Sequence, residues 1–184
     1  MKPLFIVTSA IDTRYGIYPP QERLKMTLDT IQCLRDRVPG CKIALNEVSG
    51  NGLDAHFAAQ LEDAVDLYLD FTNNSEVRGI YNNPAWVQNW DVVKNLTELT
   101  TFPQSLKLIK DAGELDGIDR VFKMSGRYLL NDKFDINFYE KTEVADKVVI
   151  GKSVPSQFPF QVTGLATQYM CRLLSWPTSM HSNM

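Results

Sequence analysis

The chain has 184 residues, of which 44% are hydrophobic and 22% charged, and its 22 acidic side chains slightly outnumber its 19 basic ones. That length and apolar content suit one folded domain with a buried core, and a net charge of −3 is too small to keep the chain disordered. The acidic surplus also argues against general nucleic-acid binding, which normally requires an excess of Lys and Arg.

The sequence carries no pattern typical of export or membrane insertion. Its first apolar run covers only residues 4–7, whereas a signal peptide needs about 7–15 apolar residues and a membrane span roughly 18–20. The three cysteines, Cys33, Cys41 and Cys171, are odd in number and lack a C-x-x-C spacing, which favours reduced thiols. We therefore expect a cytoplasmic protein without an integral membrane segment.

The first part of the chain alternates short apolar runs with helical patterns. Residues 4–7 predict a buried strand, and the apolar positions of residues 22–38, spaced by three and four, predict an amphipathic helix. Strands are predicted over 42–48 and 65–71, with a short helix between them that ends near residue 64. Residues 72–90 are polar and aromatic and favour no particular element.

In the later part of the chain the predicted helices and strands no longer alternate regularly. They are helices over 91–99 and 103–112, strands over 121–124 and 147–150, a loop over 155–163, a helix over 164–174 and a polar tail over 178–184. Strands that alternate with helices are typical of an α/β fold, so we expect a single-domain, mainly parallel sheet with helices on both faces, a Rossmann-like three-layer α/β/α arrangement.

Ligands of such sheets bind beyond the carboxyl ends of the strands, where the strand order reverses. The predicted strand ends are rich in small hydroxyl, amide and charged side chains, which can approach and hold a polar ligand. They are Thr8, Ser9, Ala10, Asp12, Arg14 and Tyr15 after the first strand; Asn46, Glu47 and Ser49 after the second; Asp70, Thr72 and Asn73 after the third; and Ser125, Gly126, Arg127, Tyr128, Asn131 and Asp132 after the fourth.

Arg127 is the most informative of these side chains. Its guanidinium can grip a phosphate or a carboxylate with two hydrogen bonds. The alternative is a local ion pair with Asp132 or Asp135. A histidine-based triad or metal site is disfavoured, because the chain has only His56 and His181. The chain also lacks a phosphate-loop motif, a G-x-G-x-x-G motif and a G-x-S-x-G motif.

Two segments resemble a known enzyme family. The run from Val7 to Ala10, followed by Glu22-Arg23-Leu24 and Thr27-Leu28-Asp29-Thr30-Ile31, is similar to the opening of GT-A-type glycosyltransferases. The run Phe122-Lys123-Met124-Ser125-Gly126-Arg127-Tyr128 resembles the Phe-Lys-x-Ser-Gly-Arg-Tyr signature of bacterial and phage proteins in that superfamily. The resemblance covers most of residues 4–150, which it identifies as a nucleotide-binding core, and leaves 151–184 as a short C-terminal part.

The resemblance implies a nucleotide-sugar donor and a glycan or other acceptor. The residues that it implies in substrate binding are Thr8, Ser9, Ala10, Arg14, Tyr15, Lys123, Ser125, Gly126 and Arg127. Members of the family usually hold Mn²⁺ or Mg²⁺ with an Asp-x-Asp pair, which this chain lacks. Either Arg127 and Lys123 neutralise the diphosphate, or Asp132 supplies a displaced metal ligand or catalytic group, or activity is lost.

Three functions therefore remain open at this point. The chain is a nucleotide-sugar-dependent glycosyltransferase, a non-catalytic protein that keeps the fold for binding or assembly, or another α/β enzyme that acts on a phosphorylated metabolite with Arg127 as its phosphate clamp. Because 151–184 is short for an acceptor-binding half, we also expect either a minimal member, a fragment, or a chain completed by a partner, which includes a homo-oligomer.

Overall fold

The computed structural model describes residues 1–86, 89–150, 154–155, 169–170 and 173–179. The described strands are β1 (Pro3–Ser9), β2 (Lys42–Glu47), β3 (Leu67–Asp70), β4 (Arg120–Ser125), β5 (Val149–Ile150), β6 (Val154–Pro155), β7 (Tyr169–Met170) and β8 (Leu173–Pro177). The described α-helices are α1 (Pro20–Arg37), α2 (Ala55–Ala64), α3 (Ser75–Asn82), α4 (Trp90–Asp111) and α5 (Thr142–Ala145), and short 3-10 helices cover Pro84–Trp86 and Ile136–Glu140.

A six-stranded sheet with the order β3-β2-β1-β4-β8-β5 organises the fold. The strands β1 to β4 are parallel, whereas β8 runs antiparallel to both of its neighbours, β4 and β5. A separate antiparallel pair joins β6 to β7. The prediction of a mainly parallel α/β sheet is therefore confirmed.

Alternate residues of the central strand β1 pack into different hydrophobic clusters. Phe5 and Val7 pack in a cluster that includes residues of α1, and Leu4 and Ile6 pack in a second cluster that includes residues of α4. This alternation follows from the two-residue period of a strand, which directs neighbouring side chains to opposite faces. A third cluster lies beside the strand ends and contains Val48, Phe71, Val77, Tyr81 and Val93.

The predicted helix over 22–38 corresponds to α1, which begins at Pro20 and ends at Arg37. Proline is well tolerated in the first turn, where its missing N–H has no partner to lose, and basic residues in the last turn interact favourably with the helix dipole. The strands predicted from residues 4, 42, 65, 121 and 147 and the short helix that ends at Ala64 are also present, with shifts of a few residues at their ends.

The prediction of two helices over 91–99 and 103–112 was wrong, because α4 continues through Pro103. Proline removes one backbone hydrogen bond and normally favours a break. Here Pro103 lies on the exposed side of the helix. A continuous buried row on the other side, spaced by four, packs against the protein and outweighs that cost; it comprises Val93, Thr97, Thr101, Ser105 and Ile109.

The predicted helix over 164–174 was also wrong where it can be compared, because residues 169–170 and 173–174 form strands. A short apolar run does not distinguish helix from strand by its own pattern, and here the free edge of β4 is paired by Leu173–Pro177. Residues 156–168, which include most of the predicted loop, lie outside the described residues. The described helices include none with both the length and the apolar character needed to cross a membrane.

Candidate functional site

The strand order reverses beside β1, because the chain proceeds from β1 to β2 and β3 on one side and returns to β4 on the other. Crevices at such reversals are the usual ligand sites of open α/β sheets. Thr8 of β1 and Ser125 of β4 are paired in register at this point, and the Gly126 N–H donates to the Thr8 carbonyl at 2.9 Å. The strand ends predicted from the sequence therefore adjoin one another.

Glu47, the last residue of β2, is fully buried beneath the loop that follows β1. Its carboxylate accepts hydrogen bonds from the Ser9 and Ser49 hydroxyls. It also accepts from the backbone N–H groups of Ile11 at 3.1 Å and Ser49 at 2.9 Å. One carboxylate thus ties the start of the loop to the end of β2, and the Asp12 N–H donates to the Ser49 hydroxyl at 2.8 Å beside it.

Burial raises the pKa of the Glu47 carboxyl, and the hydrogen bonds from Ser49 and Ser9 oppose that rise only in part. The group is consequently better suited to holding the loop than to forming an exposed ion pair. Sequence reasoning placed Glu47 at a strand end but gave it no role, because its donors come from a loop whose course the sequence does not specify.

The same loop packs on Tyr81 of α3. The Tyr81 hydroxyl donates to the Thr13 hydroxyl at 3.2 Å, and Arg14 donates to the Tyr81 backbone carbonyl. The guanidinium carbon of Arg14 lies 5.3 Å from the centre of the Tyr15 ring and 5.9 Å from that of Tyr81. These contacts hold a cation over two aromatic faces, which is a favourable arrangement for Arg.

Gly50 provides the space for Tyr81. A Cβ atom at residue 50 would lie only 2.0 Å from Cγ of the Tyr81 ring, so glycine is required for this close approach. Gly126 has a similar packing role, because a Cβ there would lie 3.2 Å from the Thr27 hydroxyl oxygen of α1. Gly126 is therefore buried between β4 and α1 and does not line the surface.

Arg23, in the first turn of α1, is only 7% exposed, and its Nε donates to the Ala10 carbonyl at 2.6 Å. Burial and the charge of nearby Arg127 lower the pKa of Arg23. Arg127 itself is exposed. Within the described part of the chain, neither of these arginines nor Arg14 makes an ion pair with a carboxylate.

The local ion pair considered for Arg127 does not form. Asp132 pairs with Arg37 at 2.7 Å, and the Asp135 side chain accepts from the Asn137 N–H at 2.9 Å. Arg37 is the last residue of α1, which returns from the carboxyl end of β1 to the start of β2. Asp132 therefore lies near the amino-terminal ends of the parallel strands. It is not brought together with Ser9, Ala10 and the arginines, which lie at the carboxyl ends.

Lys123 is also directed away from the arginines. It lies on the α4 face of β4, where its ammonium group pairs with Glu98 of α4. Thr8 and Ser125 share that face and are half-buried, whereas Ser9 and Glu47 lie on the opposite face. The expected binding residues of β1 and β4 thus divide between the two faces of the sheet, with Thr8, Lys123 and Ser125 on the α4 face and Ser9 on the other.

The described residues include no conventional divalent-cation site. Among the described residues, no group of three or more His, Cys, Asp and Glu side chains converges to hold a metal ion. Arg23 was missed as a site residue, although its position on the buried side of α1 indicates that its side chain faces inward.

No protein-family model matches this sequence, and a search of curated proteins yields no significant match.

Proposed function

We propose that the chain binds a nucleotide-sugar donor at the carboxyl ends of β1 and β4 and transfers its sugar to a glycan or other acceptor. One observation carries this proposal: Arg23 lies near Arg127, Arg14 and Arg23 both lie near Tyr81, and none of the three arginines has a carboxylate partner among the described residues. Guanidinium groups without a carboxylate partner at the ends of parallel strands are suited to the charge and geometry of a diphosphate.

The arrangement of the fold supports the same proposal. Parallel strands in the order β3-β2-β1-β4 provide a nucleotide-binding crevice at the reversal, and separate hydrophobic clusters on the two faces of β1 agree with a three-layer α/β/α arrangement of the GT-A type. Glu47 and Tyr81 fix the loop over residues 10–16, so that Arg14 is held in place before a ligand arrives.

Transfer of the sugar requires stabilisation of the departing nucleoside diphosphate. The bond that breaks joins the anomeric carbon to a phosphate oxygen, and its electron pair remains on the diphosphate. A guanidinium about 4 Å from that new charge contributes roughly 4 kcal/mol at an effective dielectric near 20, and about 1 kcal/mol in bulk water. We assign this role to Arg127 and Arg14. Arg23, which is buried behind the loop, adds to the positive electrostatic potential there.

The proposal uses no metal-dependent step. The carboxylate suggested by the sequence, Asp132, pairs with Arg37 at the far edge of the sheet. Lys123 pairs with Glu98, so it is not assigned to the diphosphate either. In this proposal, Arg14, Arg23 and Arg127 supply the positive charge that a metal ion or Lys123 would otherwise provide.

Substitution of Arg127 by Met tests the proposal. We expect the Kd for the preferred donor, measured by calorimetry on a panel of UDP-, GDP-, CMP- and dTDP-sugars with and without Mn²⁺, to rise about 10- to 100-fold, the worth of a hydrogen bond to a charged group. The matched control is Lys107→Met, which removes an exposed cation in the last turns of α4 and is expected to leave the Kd unchanged.

Three outcomes would redirect or end the proposal. If no sugar nucleotide produces heat, the proposal fails. If inorganic phosphate or a phosphorylated sugar binds as tightly as the sugar nucleotides, the site is a phosphate clamp of another α/β enzyme. If donors bind but no nucleoside diphosphate is released in the presence of glycan acceptors, the protein is a binding member without transferase activity.

A further inference from the structure

Six buried side-chain nitrogen and oxygen atoms have no hydrogen-bond partner among the described residues. They are Thr8 Oγ1, Tyr15 Oη, Asn46 Oδ1, Asn46 Nδ2, Tyr68 Oη and Thr97 Oγ1. Buried polar atoms are satisfied in the great majority of cases, so each exception calls for an explanation. Five of the six belong to one region of this protein.

That region lies between the sheet and the amino-terminal half of α4. Thr8 and Asn46 are paired in register on β1 and β2, and their side chains share the α4 face with Ile6 and Ala44. Asn46 is also paired with Leu69 of β3. The Thr8 and Asn46 side chains thus form one polar row at the end of an otherwise apolar face.

Tyr15 and Thr97 connect to the same region through the third hydrophobic cluster. Tyr15 packs against that cluster together with Leu69, and Val93 of α4 is one of its buried members. Thr97 follows Val93 by one helical turn on the buried side of α4. We refer to Thr8, Tyr15, Asn46 and Thr97 as the interior polar cluster.

The free hydroxyl of Thr97 is not a general property of α4. One and two turns further on, the Thr101 and Ser105 hydroxyls donate to the carbonyls of Thr97 at 2.9 Å and Thr101 at 2.8 Å. Such bonds to the preceding turn are readily available to a buried hydroxyl in a helix. Thr97 instead keeps its hydroxyl available, as Asn46, which is 1% exposed, keeps both atoms of its amide.

We propose that the interior polar cluster is a binding site for an uncharged group that carries both hydrogen-bond donors and acceptors. The amide of Asn46 presents a donor and an acceptor side by side, and the three hydroxyls can act as either. The charged side chains on this face of the sheet, Lys123 and Glu98, neutralise each other, so the hydroxyls and the amide are the groups left to recognise a ligand there. A nucleobase edge and the hydroxyls of a sugar share the required chemistry.

The inference goes beyond the proposed function, because it concerns the face of the sheet opposite Glu47 and needs no diphosphate. Probes without phosphate separate the two ideas. They are expected to bind at the cluster whether or not the arginines take a diphosphate.

The experiment measures binding of phosphate-free probes to the full chain and to three isosteric variants. One arm uses nucleosides and the other uses free monosaccharides, and the readouts are the shift in Tm and the calorimetric Kd. We expect a probe from one arm to raise Tm, and Thr97→Val and Asn46→Leu each to weaken its binding about tenfold or more, the worth of one or two hydrogen bonds.

Thr101→Val is the matched control, since Thr101 is equally buried on the same side of α4 but has its hydroxyl bonded. It is expected to leave probe binding unchanged. Without a probe, Thr97→Val is expected to retain or raise the Tm, because it removes an unsatisfied hydroxyl. The inference is overturned if no probe of either arm shifts Tm, if the variants and the control lose binding equally, or if Thr97→Val alone lowers the Tm of the free protein.

Discussion

Replacement of Glu47 by Leu is expected to lower the free energy of unfolding by about 3–5 kcal/mol, the range found when one member of a buried polar or ionic network is removed. Leu fills similar space but accepts no hydrogen bonds. The backbone N–H groups of Ile11 and Ser49 would lose their acceptor, and the Ser9 and Ser49 hydroxyls would have to find other partners. Urea unfolding followed by circular dichroism measures the loss.

Glu47→Gln is the control for this change. Its amide oxygen can accept from Ile11 and Ser49, and its NH₂ group can donate to the Ser9 oxygen, so we expect its stability at neutral pH to remain within about 1 kcal/mol of the wild type. If Glu47→Leu is as stable as Glu47→Gln, the network around Glu47 does not hold the loop. The proposal that Arg14 is held in place before a ligand binds would then be contradicted.

The pH dependence of stability gives an independent check on Glu47. Because burial raises the pKa of its carboxyl in the folded protein, the folded state retains this proton at pH values where the unfolded chain has released it. The stability that this group contributes is fully present below its unfolded pKa and declines as pH rises through the folded pKa. Glu47→Gln lacks this proton, so the wild type should lose stability relative to it across that window. A difference that grows in the opposite direction would contradict a raised pKa.

Gly50→Ala is the second change for which we expect a large effect, a loss of about 2–3 kcal/mol from overpacking. The new methyl group would lie 2.0 Å from the Tyr81 ring, which is 4% exposed and has no free space to enter. Displacement of Tyr81 would also disturb its bonds with Thr13 and Arg14. We therefore expect weaker binding of the donor as well as a lower unfolding free energy in urea.

Two further variants separate this clash from the general cost of replacing glycine. A Cβ at Gly79, in α3, would meet no atom within 4 Å other than its chain neighbours and the backbone of its own helix, so Gly79→Ala should raise stability by about 0.5–1 kcal/mol through its better helix propensity. In a Tyr81→Ala background, Gly50→Ala should cost almost nothing, because the ring that it meets is gone. An equal loss in both backgrounds would show that the backbone at residue 50, and not the ring, requires glycine.

Local patterns were sufficient to predict the elements that carry their own periodicity. The apolar spacing that begins at Leu24 predicted α1, and the short β-branched runs predicted β1 and β2, because these elements bury a regular face against the sheet. The position of the candidate site followed from the same information, since parallel strands end at one edge. The sequence could not reveal which face each strand-end residue would take, and this separates Lys123 from Arg127.

The errors arose where a distant segment decided the structure. Pro103 favours a helix break, but the buried row on the other side of α4 is continuous only in an unbroken helix. Asp132 follows Arg127 closely in sequence, but the segment between them runs alongside α1. The Asp132 carboxylate therefore reaches Arg37 at the end of that helix. Tyr81 gains its role only from Gly50 and the loop after β1, which are more than 30 residues away.

The antiparallel strand β8 has a consequence for how the chain folds as it is synthesised. The strand β4 is paired on one side by β1 and, in the described part of the chain, on the other side by β8, whose Ser175 lies 55 residues after Arg120. Until that segment has left the ribosome, β4 presents an unpaired edge to other nascent chains. The pairing of β8 with β4 is late and long-range, and it turns this edge into the interior of the sheet. We therefore expect a chaperone to contribute most at this step of biosynthesis.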